Sequence, residues 1–313
     1  MTEQTTDGPD AIRHAGFVAL LGAPNAGKST LLNQLMGRKL AIVSPKPQTT
    51  RACVKGVLTE GATQIVFIDT PGIFAPQRRL DRAMVQAAWQ AQSDADVFVV
   101  VIDATKYGGA NARETDAILE VLRERGLKAS IVLNKIDALR SKAALLPLAE
   151  KLDATGVASE IFMVSAQVGD GVDGLKQEIA RRMPEGPWLF PEDQLSDLPE
   201  RLLAAETTRE QAFIQLNQEL PYGIAVIPES WETKKDGSVT IHQTILVARE
   251  GHRPIVLGKD GARIKSIGEA ARHQLENIMG HRVHLFLDVK YDKNWQERPD
   301  YYRLFGLEFT PEK

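Results

Sequence analysis

The first 183 residues alternate short apolar runs with segments of helical periodicity. The apolar runs are FVALLG (17–22), IVFIDT (65–70), VFVVVID (97–103), ASIVLNKID (129–137) and IFMVSA (161–166). Runs this apolar are typical of strands covered on both faces, as in a parallel sheet wound by helices. Helices are predicted to begin near Ser29, Arg79, Ala112, Ser141 and Val172, and the weaker alternation over 51–60 predicts an edge strand. The pattern predicts a doubly wound α/β domain with a mostly parallel six-stranded sheet, whose ligands bind beyond the carboxyl ends of the strands.

A different pattern follows the segment MPEGPWLFPEDQLSDLPE (183–200), which contains four prolines and is predicted to be a semi-rigid linker. Beyond it we predict a helix over 199–219, strands over 222–231 and 238–248, a helix–turn–helix region over 252–279, and a strand over 282–290. This order predicts a smaller α+β domain. The predicted boundaries are a flexible N-terminus (1–15), the α/β domain (16–183), the linker (184–198), the α+β domain (199–300) and a C-terminal tail (301–313).

Composition narrows the class of protein. The chain has 313 residues, of which 43% are hydrophobic and 25% charged, as expected of a soluble globular protein with two domains. No apolar stretch reaches the 18 residues of a spanning helix, and the polar start has no signal core. The single Cys53 allows no internal disulfide. We therefore expect a cytoplasmic protein.

Charge is distributed unevenly along the chain. The net charge is −3, yet residues 249–303 carry 11 Lys and Arg against 8 Asp and Glu, together with four of the six histidines. A basic C-terminal region on an otherwise acidic chain indicates a nucleic-acid partner for that region.

The segment GAPNAGKST (22–30) matches the phosphate-binding pattern GxxxxGK[ST] between a predicted strand and a predicted helix. Small residues allow successive backbone N–H groups to face a phosphate, and the helix N-terminus adds positive potential. Lys28 is predicted to reach the β- and γ-phosphates, and the Ser29 hydroxyl to ligate Mg²⁺. The predicted nucleotide-binding residues here are Gly22, Ala23, Pro24, Asn25, Ala26, Gly27, Lys28, Ser29 and Thr30.

The tetrapeptide NKID (134–137) is predicted to select guanine over adenine as the base of the bound nucleotide. A carboxylate such as Asp137 accepts the paired N1–H and 2-amino donors of guanine, and adenine presents no such pair. Asn134 is predicted to brace the loop, and the stem of Lys135 to lie over the ring. In SAQ (165–167), Ser165 and Ala166 are predicted to offer a backbone N–H to guanine.

Two further segments are predicted to meet the γ-phosphate and the metal. DTPG (69–72) supplies Asp69 for Mg²⁺ and the Gly72 N–H for the γ-phosphate, and Thr70, Pro71 and Ile73 are predicted to line the same site. SPKPQTTR (44–51) supplies one threonine to the metal. We favour Thr50 over Thr49, although both could equally be edge-strand residues. Lys28, Thr50 and Gly72 form the predicted catalytic set, and Ser29, Thr50 and Asp69 the predicted metal ligands.

The ordered set GAPNAGKST, QTTR, DTPG, NKID and SAQ resembles the translation-factor-related branch of P-loop GTPases over residues 16–183. Self-activating GTPases place a glutamine directly after the DxxG glycine, whereas this chain has Ile73 followed by Phe74. Neither side chain can orient a water molecule, so we expect slow hydrolysis without a partner. In some relatives the asparagine at the position of Asn25 ligates K⁺; here it could instead only shape the turn.

A second motif lies in VLGKDGARIKSIGEAARHQLENIMG (256–280), where Gly258 and Gly261 bracket a GxxG loop. The helix after it has one apolar face. Such a loop lets a nucleic-acid backbone approach closely, as in KH modules. The α-β-β-α-α-β order corresponds to a type II KH domain. The predicted RNA-binding residues are Gly258, Lys259, Gly261, Arg263 and Lys265, with Asp260 opposing phosphate.

The GTPase boxes, the linker and the KH-like domain together resemble the Era family of bacterial GTPases, and ELPYGIAV (219–226) and ILVAREGHRPIVLGKDGARIKSIG (245–268) extend the match. The resemblance implies binding of GTP and GDP with Mg²⁺, and of the single-stranded 3′ end of small-subunit (16S) ribosomal RNA. It also implies a role in 30S subunit assembly, RNA binding favoured by GTP, and peripheral association with the inner membrane face. We expect a monomer. The alternative is a cell-cycle-linked signalling GTPase, docked to membrane or protein, whose GxxG loop is only structural; a metabolic kinase is disfavoured because NKID would then have no role.

Overall fold

A computed structural model of the chain describes residues 12–309, apart from 47–48, 52, 75, 77, 91–92, 94, 108–109 and 218–219. Most of the predicted N-terminal segment 1–15, and residues 310–313, lie outside this part of the chain. The chain divides into two compact units. The first comprises Met1–Leu40, Cys53–Ala75 and Val85–Asp197; the second comprises Ala41–Ala52, Pro76–Met84 and Leu198–Lys313.

The first unit is built on a six-stranded sheet of order β2-β3-β1-β4-β5-β6. Its strands are β1 (His14–Leu21), β2 (Val54–Glu60), β3 (Thr63–Asp69), β4 (Val97–Asp103), β5 (Ala129–Asn134) and β6 (Ala158–Met163). All neighbours are parallel except β2, which pairs antiparallel with β3. The helices are α1 (Lys28–Met36), α2 (Arg79–Gln90, of which Val85 onward belongs to this unit), α3 (Ala110–Glu124), α4 (Leu145–Asp153) and α5 (Val172–Arg181). The predicted doubly wound α/β fold, with an edge strand near 51–60, is confirmed.

Burial explains why the apolar runs form the central strands. Every residue of β4 and β5 is buried. Because helices cover both faces of a parallel sheet, such strands lack polar alternation. The helix predicted near Ser141 begins later, at Leu145, since the Ser141 hydroxyl accepts the Ala143 N–H and caps a short 3₁₀ turn before it.

The proline-rich segment packs along the edge of this sheet. Gln64 on β3 is fully buried, and its side-chain amide bonds the chain at 189–190: Oε1 accepts the Leu189 and Phe190 N–H groups at 2.8 and 3.0 Å. Further along, the Val57 N–H of β2 donates to the Leu195 carbonyl at 2.9 Å. The segment thus covers the edge of β2, whose backbone N–H and C=O groups would otherwise be left unpaired.

The second unit contains α6 (Glu200–Gln215), β7 (Ile224–Thr233), β8 (Val239–Val247), α7 (Arg253–Leu257), α8 (Ala262–Met279), β9 (Val283–Tyr291) and α9 (Pro299–Leu304). The sheet order is β7-β8-β9, antiparallel between β7 and β8 and parallel between β8 and β9. Apolar residues of α6, α7 and α8 meet one face of the sheet in a shared core that includes Phe213, Ile267 and Ile245. The predicted α-β-β-α-α-β order is therefore present.

The predicted tail (301–313) is described as far as residue 309, and its residues 301–304 complete helix α9. Tyr302, Phe305 and Leu307 are buried, and the nearby Trp295 indole donates to the Gly223 carbonyl at 3.3 Å. The burial of a few large aromatic side chains orders this segment. It lacks the extended apolar periodicity by which a helix is recognised in a sequence.

Candidate functional site: a nucleotide pocket and a GxxG loop

The phosphate-binding turn occupies the six residues between β1 and α1. Asn25 and Gly27 take left-handed conformations, with φ of 62° and 98°. A Cβ atom on Gly27 would lie 2.2 Å from Nδ2 of Asn134, so both the backbone angle and the space require glycine. The turn leads directly into α1, which begins at Lys28.

Lys28 is buried beneath this turn. Its ammonium donates to the carbonyls of Gly22 and Ala23 at 3.1 and 3.2 Å. Burial lowers its pKa to about 8, although the Asp69 carboxylate acts in the opposite direction. Because these two carbonyl acceptors are neutral, the buried ammonium favours an anionic ligand.

Ser29 and Asp69 form a pair suited to a hard cation. The Ser29 hydroxyl donates to Oδ2 of Asp69 at 2.7 Å, and Asp69 is fully buried at the end of β3. A hydroxyl and a carboxylate oxygen fit Mg²⁺, which takes few protein ligands and relies on phosphate and water for the rest. Among the described residues, no group of three or more His, Cys, Asp or Glu could hold a metal ion.

Asn134 joins the predicted base-binding segments to the phosphate-binding turn. It is buried at the end of β5, where its Nδ2 donates to the Ala26 carbonyl at 2.9 Å and its Oδ1 accepts the Ala166 N–H at 3.0 Å. Lys135, in the left-handed region at φ 66°, donates to the Asn25 carbonyl at 2.5 Å. The Asn134 side chain therefore links NKID to both the phosphate-binding turn and the SAQ segment.

The carboxylate of Asp137 lies beside the SAQ segment. Its Oδ1 accepts the Ser165 hydroxyl at 2.5 Å, so the serine orients the carboxylate predicted to read guanine. The Lys135 ammonium is also paired with Asp103 at 2.7 Å. Asp103, at the end of β4, was not predicted; the only signal was its position as the last residue of an apolar run.

The DTPG segment packs closely against the phosphate-binding turn. The Ile73 N–H donates to the Gly22 carbonyl at 3.2 Å, and a Cβ atom on Gly72 would lie 2.9 Å from Pro24. The side chain of Ile73 is buried in the sheet core. The Thr70 hydroxyl donates to the Leu20 carbonyl at 2.7 Å, which gives Thr70 a structural bond besides its predicted place at the nucleotide.

The threonines of QTTR lie in the segment that belongs to the second unit. Thr49 bonds within the loop, with its hydroxyl 2.8 Å from both Ser44 Oγ and the Lys46 carbonyl. Neither threonine is in a strand, since β2 begins at Val54. The assignment of Thr50 to the metal stays a prediction.

The GxxG loop connects α7 to α8 in the second unit. Gly258, Asp260 and Gly261 all have positive φ, at 73°, 51° and 77°. A Cβ atom on Gly258 would lie 2.6 Å from Cβ of Arg263, whereas one on Gly261 would meet open space. The Arg263 guanidinium, predicted to contact phosphate, donates to the Gln215 carbonyl at 2.6 Å.

Two family models match the chain: one described as 50S ribosome-binding GTPase at residues 17–135, and the KH domain at 219–296. The chain is 49% identical to GTPase Era of Maricaulis maris and 51% identical to GTPase Era of Erythrobacter litoralis, in each case over 96% of this chain and 99% of the relative. The chain belongs to the Era GTPase family. It is therefore a GTPase with a C-terminal KH domain, as predicted.

Solved Era structures have the same fold. A crystal structure of Era in complex with MgGDPNP and nucleotides 1506–1542 of 16S ribosomal RNA is 41% identical, with a TM-score of 0.87 over 94% of this chain and 99% of the other. A single-substitution variant of Aquifex aeolicus Era bound to GDP·AlF4⁻ matches with the same values. No helix in the described part of this Era-family chain is long and apolar enough to cross a membrane.

Proposed function

We propose that this Era GTPase is a GTP-gated reader of the single-stranded 3′ end of 16S ribosomal RNA and assists assembly of the 30S subunit. The observation that carries the proposal is a groove beside the GxxG loop. The groove has a volume of about 400 Å³ and is lined by Ile264, Lys265, Gly268, Glu269 and Arg272 of α8 and by residues 285–287 of β9.

The chemistry of the groove suits unpaired nucleotides. Ile264 offers an apolar surface to bases, and Lys265 and Arg272 offer positive charge to phosphates. The GxxG loop lies at the same end of α8. Its Gly261 has no side chain that would keep an RNA backbone at a distance. The 41%-identical Era complex with nucleotides 1506–1542 of 16S ribosomal RNA supports the same class of ligand.

The nucleotide chemistry follows from the first unit. Ser29 and Asp69, with Thr50, would hold the Mg²⁺, which supplies charge neutralisation of the β- and γ-phosphates. Lys28 binds those phosphates, and Asp137 reads guanine. Hydrolysis without a partner is slow because the side chain of Ile73 is buried in the core, where it cannot orient a water molecule.

Two further proposals concern a monovalent cation and the place of the protein in the cell. K⁺ is a candidate cofactor beside Asn25, whose left-handed backbone lies in the phosphate-binding turn. We further propose that the protein works as a monomer in the cytoplasm, with peripheral association at the inner membrane face. Hydrolysis rates measured in K⁺ and in Na⁺, and cosedimentation with anionic vesicles, test these two proposals.

The test is binding of a labelled single-stranded RNA from the 16S 3′ end, in the presence of a GTP analogue or of GDP. Lys259→Glu reverses an exposed charge in the GxxG loop, and the matched control Lys234→Glu makes the same change in an exposed turn between β7 and β8. We expect Lys259→Glu to weaken binding about tenfold and Lys234→Glu to leave it nearly unchanged. Equal RNA affinity with both nucleotides would refute gating. Binding insensitive to Lys259→Glu and to salt would favour the docked signalling GTPase.

A further inference from the structure

Two aromatic rings stack on the surface of the second unit's sheet. They belong to His242 on β8 and Phe286 on β9, which lie directly opposite each other in the pairing of the two strands. The ring centroids are 4.7 Å apart, and the ring planes differ by 14°. Both residues are exposed, Phe286 to 53%. The pair therefore presents flat aromatic surface to solvent.

The alternation of the strands places this pair on the face of the sheet that points away from the helices. Leu285 and Leu287, on either side of Phe286, pack against the two apolar clusters of the unit, and Ile241, next to His242, is buried in one of them. Successive side chains of a strand point to opposite faces. The stacked rings thus contribute little to the core, and the ring of Phe286 is available to a ligand.

Phe286 also borders the groove beside the GxxG loop. Residues 285–287 of β9 form one wall of this groove, and Ile264 and Lys265 are part of the opposite wall on α8. Because β9 is an edge strand of the sheet, the groove lies along an open edge. A single strand of nucleic acid bound in the groove would therefore lie against Phe286.

The surroundings of the ring favour a nucleobase over an apolar protein segment. The neighbours of Phe286 on the same face of β9 are His284 and Asp288, whose polar atoms can hydrogen-bond the edge of a base. Lys265, across the groove, offers positive charge to a phosphate. An apolar protein partner needs a continuous apolar patch on the order of several hundred Å². A base needs only one open ring face.

We propose that Phe286 stacks on a base of bound single-stranded RNA, with His242 as a positioning residue that holds the ring in place. The proposal rests on the RNA binding proposed above. A GxxG loop clamps the backbone of the RNA, whereas stacking on a ring is a separate contact that does not depend on charge. Because every base has a π-face, Phe286 adds affinity with little preference for sequence.

The first test is fluorescence anisotropy of the labelled 16S 3′-end RNA with the full chain, Mg²⁺ and a GTP analogue. We expect Phe286→Leu, which keeps an apolar side chain and removes the ring, to weaken RNA binding about tenfold. The matched control is Tyr291→Leu, which removes an exposed ring at the end of the same strand and should stay within about twofold of the native protein.

The role of His242 is tested through Phe286. His242→Ala should weaken RNA binding about two- to threefold, because the unsupported ring must then be ordered when RNA binds. If His242 acts only through Phe286, the double variant Phe286→Leu/His242→Ala should bind RNA no more weakly than Phe286→Leu alone. A further loss in the double variant would refute the positioning role.

Salt dependence separates stacking from a general disturbance of the groove. Phe286→Leu should leave the slope of log affinity against log salt unchanged, whereas Lys265→Gln should reduce it by about 0.7 if this lysine contacts a phosphate. The native protein gives a direct readout as well. RNA that carries iodouridine at each position in turn should, on irradiation, crosslink at one position to Phe286.

The outcomes distinguish this proposal from the proposed function. Weaker RNA binding by Lys259→Glu, alongside native affinity in Phe286→Leu, would refute the stacking and leave RNA binding intact. A reduced salt slope in Phe286→Leu, equal losses in Phe286→Leu and Tyr291→Leu, or crosslinks only to other residues would also overturn it. If the native protein does not bind the RNA, both proposals are wrong.

Discussion

Nucleotide affinity should fall as pH rises above 8, because the ammonium of Lys28 is buried. In the nucleotide-free site, burial lowers the pKa of this group to about 8, and its acceptors are the Gly22 and Ala23 carbonyls. Bound phosphate adds negative charge beside the ammonium and raises its pKa. A group whose pKa rises on binding contributes fully to affinity below the pKa of the free site, and its contribution declines as pH rises through that value.

The size of the effect follows from the fraction of protonated lysine. With a pKa of about 8, roughly nine-tenths of the free protein carries the charge at pH 7 and about one-tenth at pH 9. GDP affinity should therefore weaken about tenfold between these two pH values. Using GDP avoids any contribution from Thr50.

Fluorescence titration of GDP at constant ionic strength from pH 7 to pH 9 measures this dependence. The control is Lys28→Met, which should bind more weakly throughout and show little of the decline. A native profile that is flat, or that rises toward pH 9, would mean that the ammonium stays protonated in the free site. Burial of Lys28 would then not lower its pKa into this pH range.

Two further substitutions test the arrangement of the first unit. Asn134→Ala removes the side-chain bonds to Ala26 and Ala166. We expect nucleotide affinity to fall at least about tenfold, because two buried backbone groups lose their partners. Isothermal titration with GDP measures this affinity, and an unchanged value would contradict the bridging role of Asn134. Gln64→Leu removes the side-chain bonds to 189–190, and we expect the free energy of unfolding to drop by about 2–4 kcal/mol with GDP affinity intact. Urea denaturation measures that loss, and a drop below about 0.5 kcal/mol would show that the segment is not held by Gln64.

The α/β fold and the arrangement around the nucleotide pocket could be predicted because their determinants are local. Gly27 lies between an apolar run and a helical pattern, so the motif and its structural context occur within a few residues of each other. The same holds for Asn134 at the end of β5. Strand order then brings such ends together, since the carboxyl ends of parallel strands meet at one edge of the sheet.

The contacts of isolated polar residues could not be predicted. Gln64 is a polar residue of β3, yet it is fully buried and its side chain bonds to the proline-rich segment more than 120 residues later in the chain. Asp103 similarly pairs with Lys135 across two strands. Periodicity assigns faces to residues within one element, and it carries no information about which distant group a polar side chain will contact.

The loop that carries Thr50 shows the same limitation. The order of motifs assigns residues 44–51 to the GTPase domain, but these residues belong to the second unit, where Lys46 and Arg51 bond to other residues of that unit. If GTP strengthens RNA binding, as proposed above, then RNA must strengthen GTP binding. Linkage makes the two effects equal: the factor by which GTP raises RNA affinity is the factor by which RNA raises GTP affinity. A factor of one, seen as equal RNA affinity with the GTP analogue and with GDP, would refute gating.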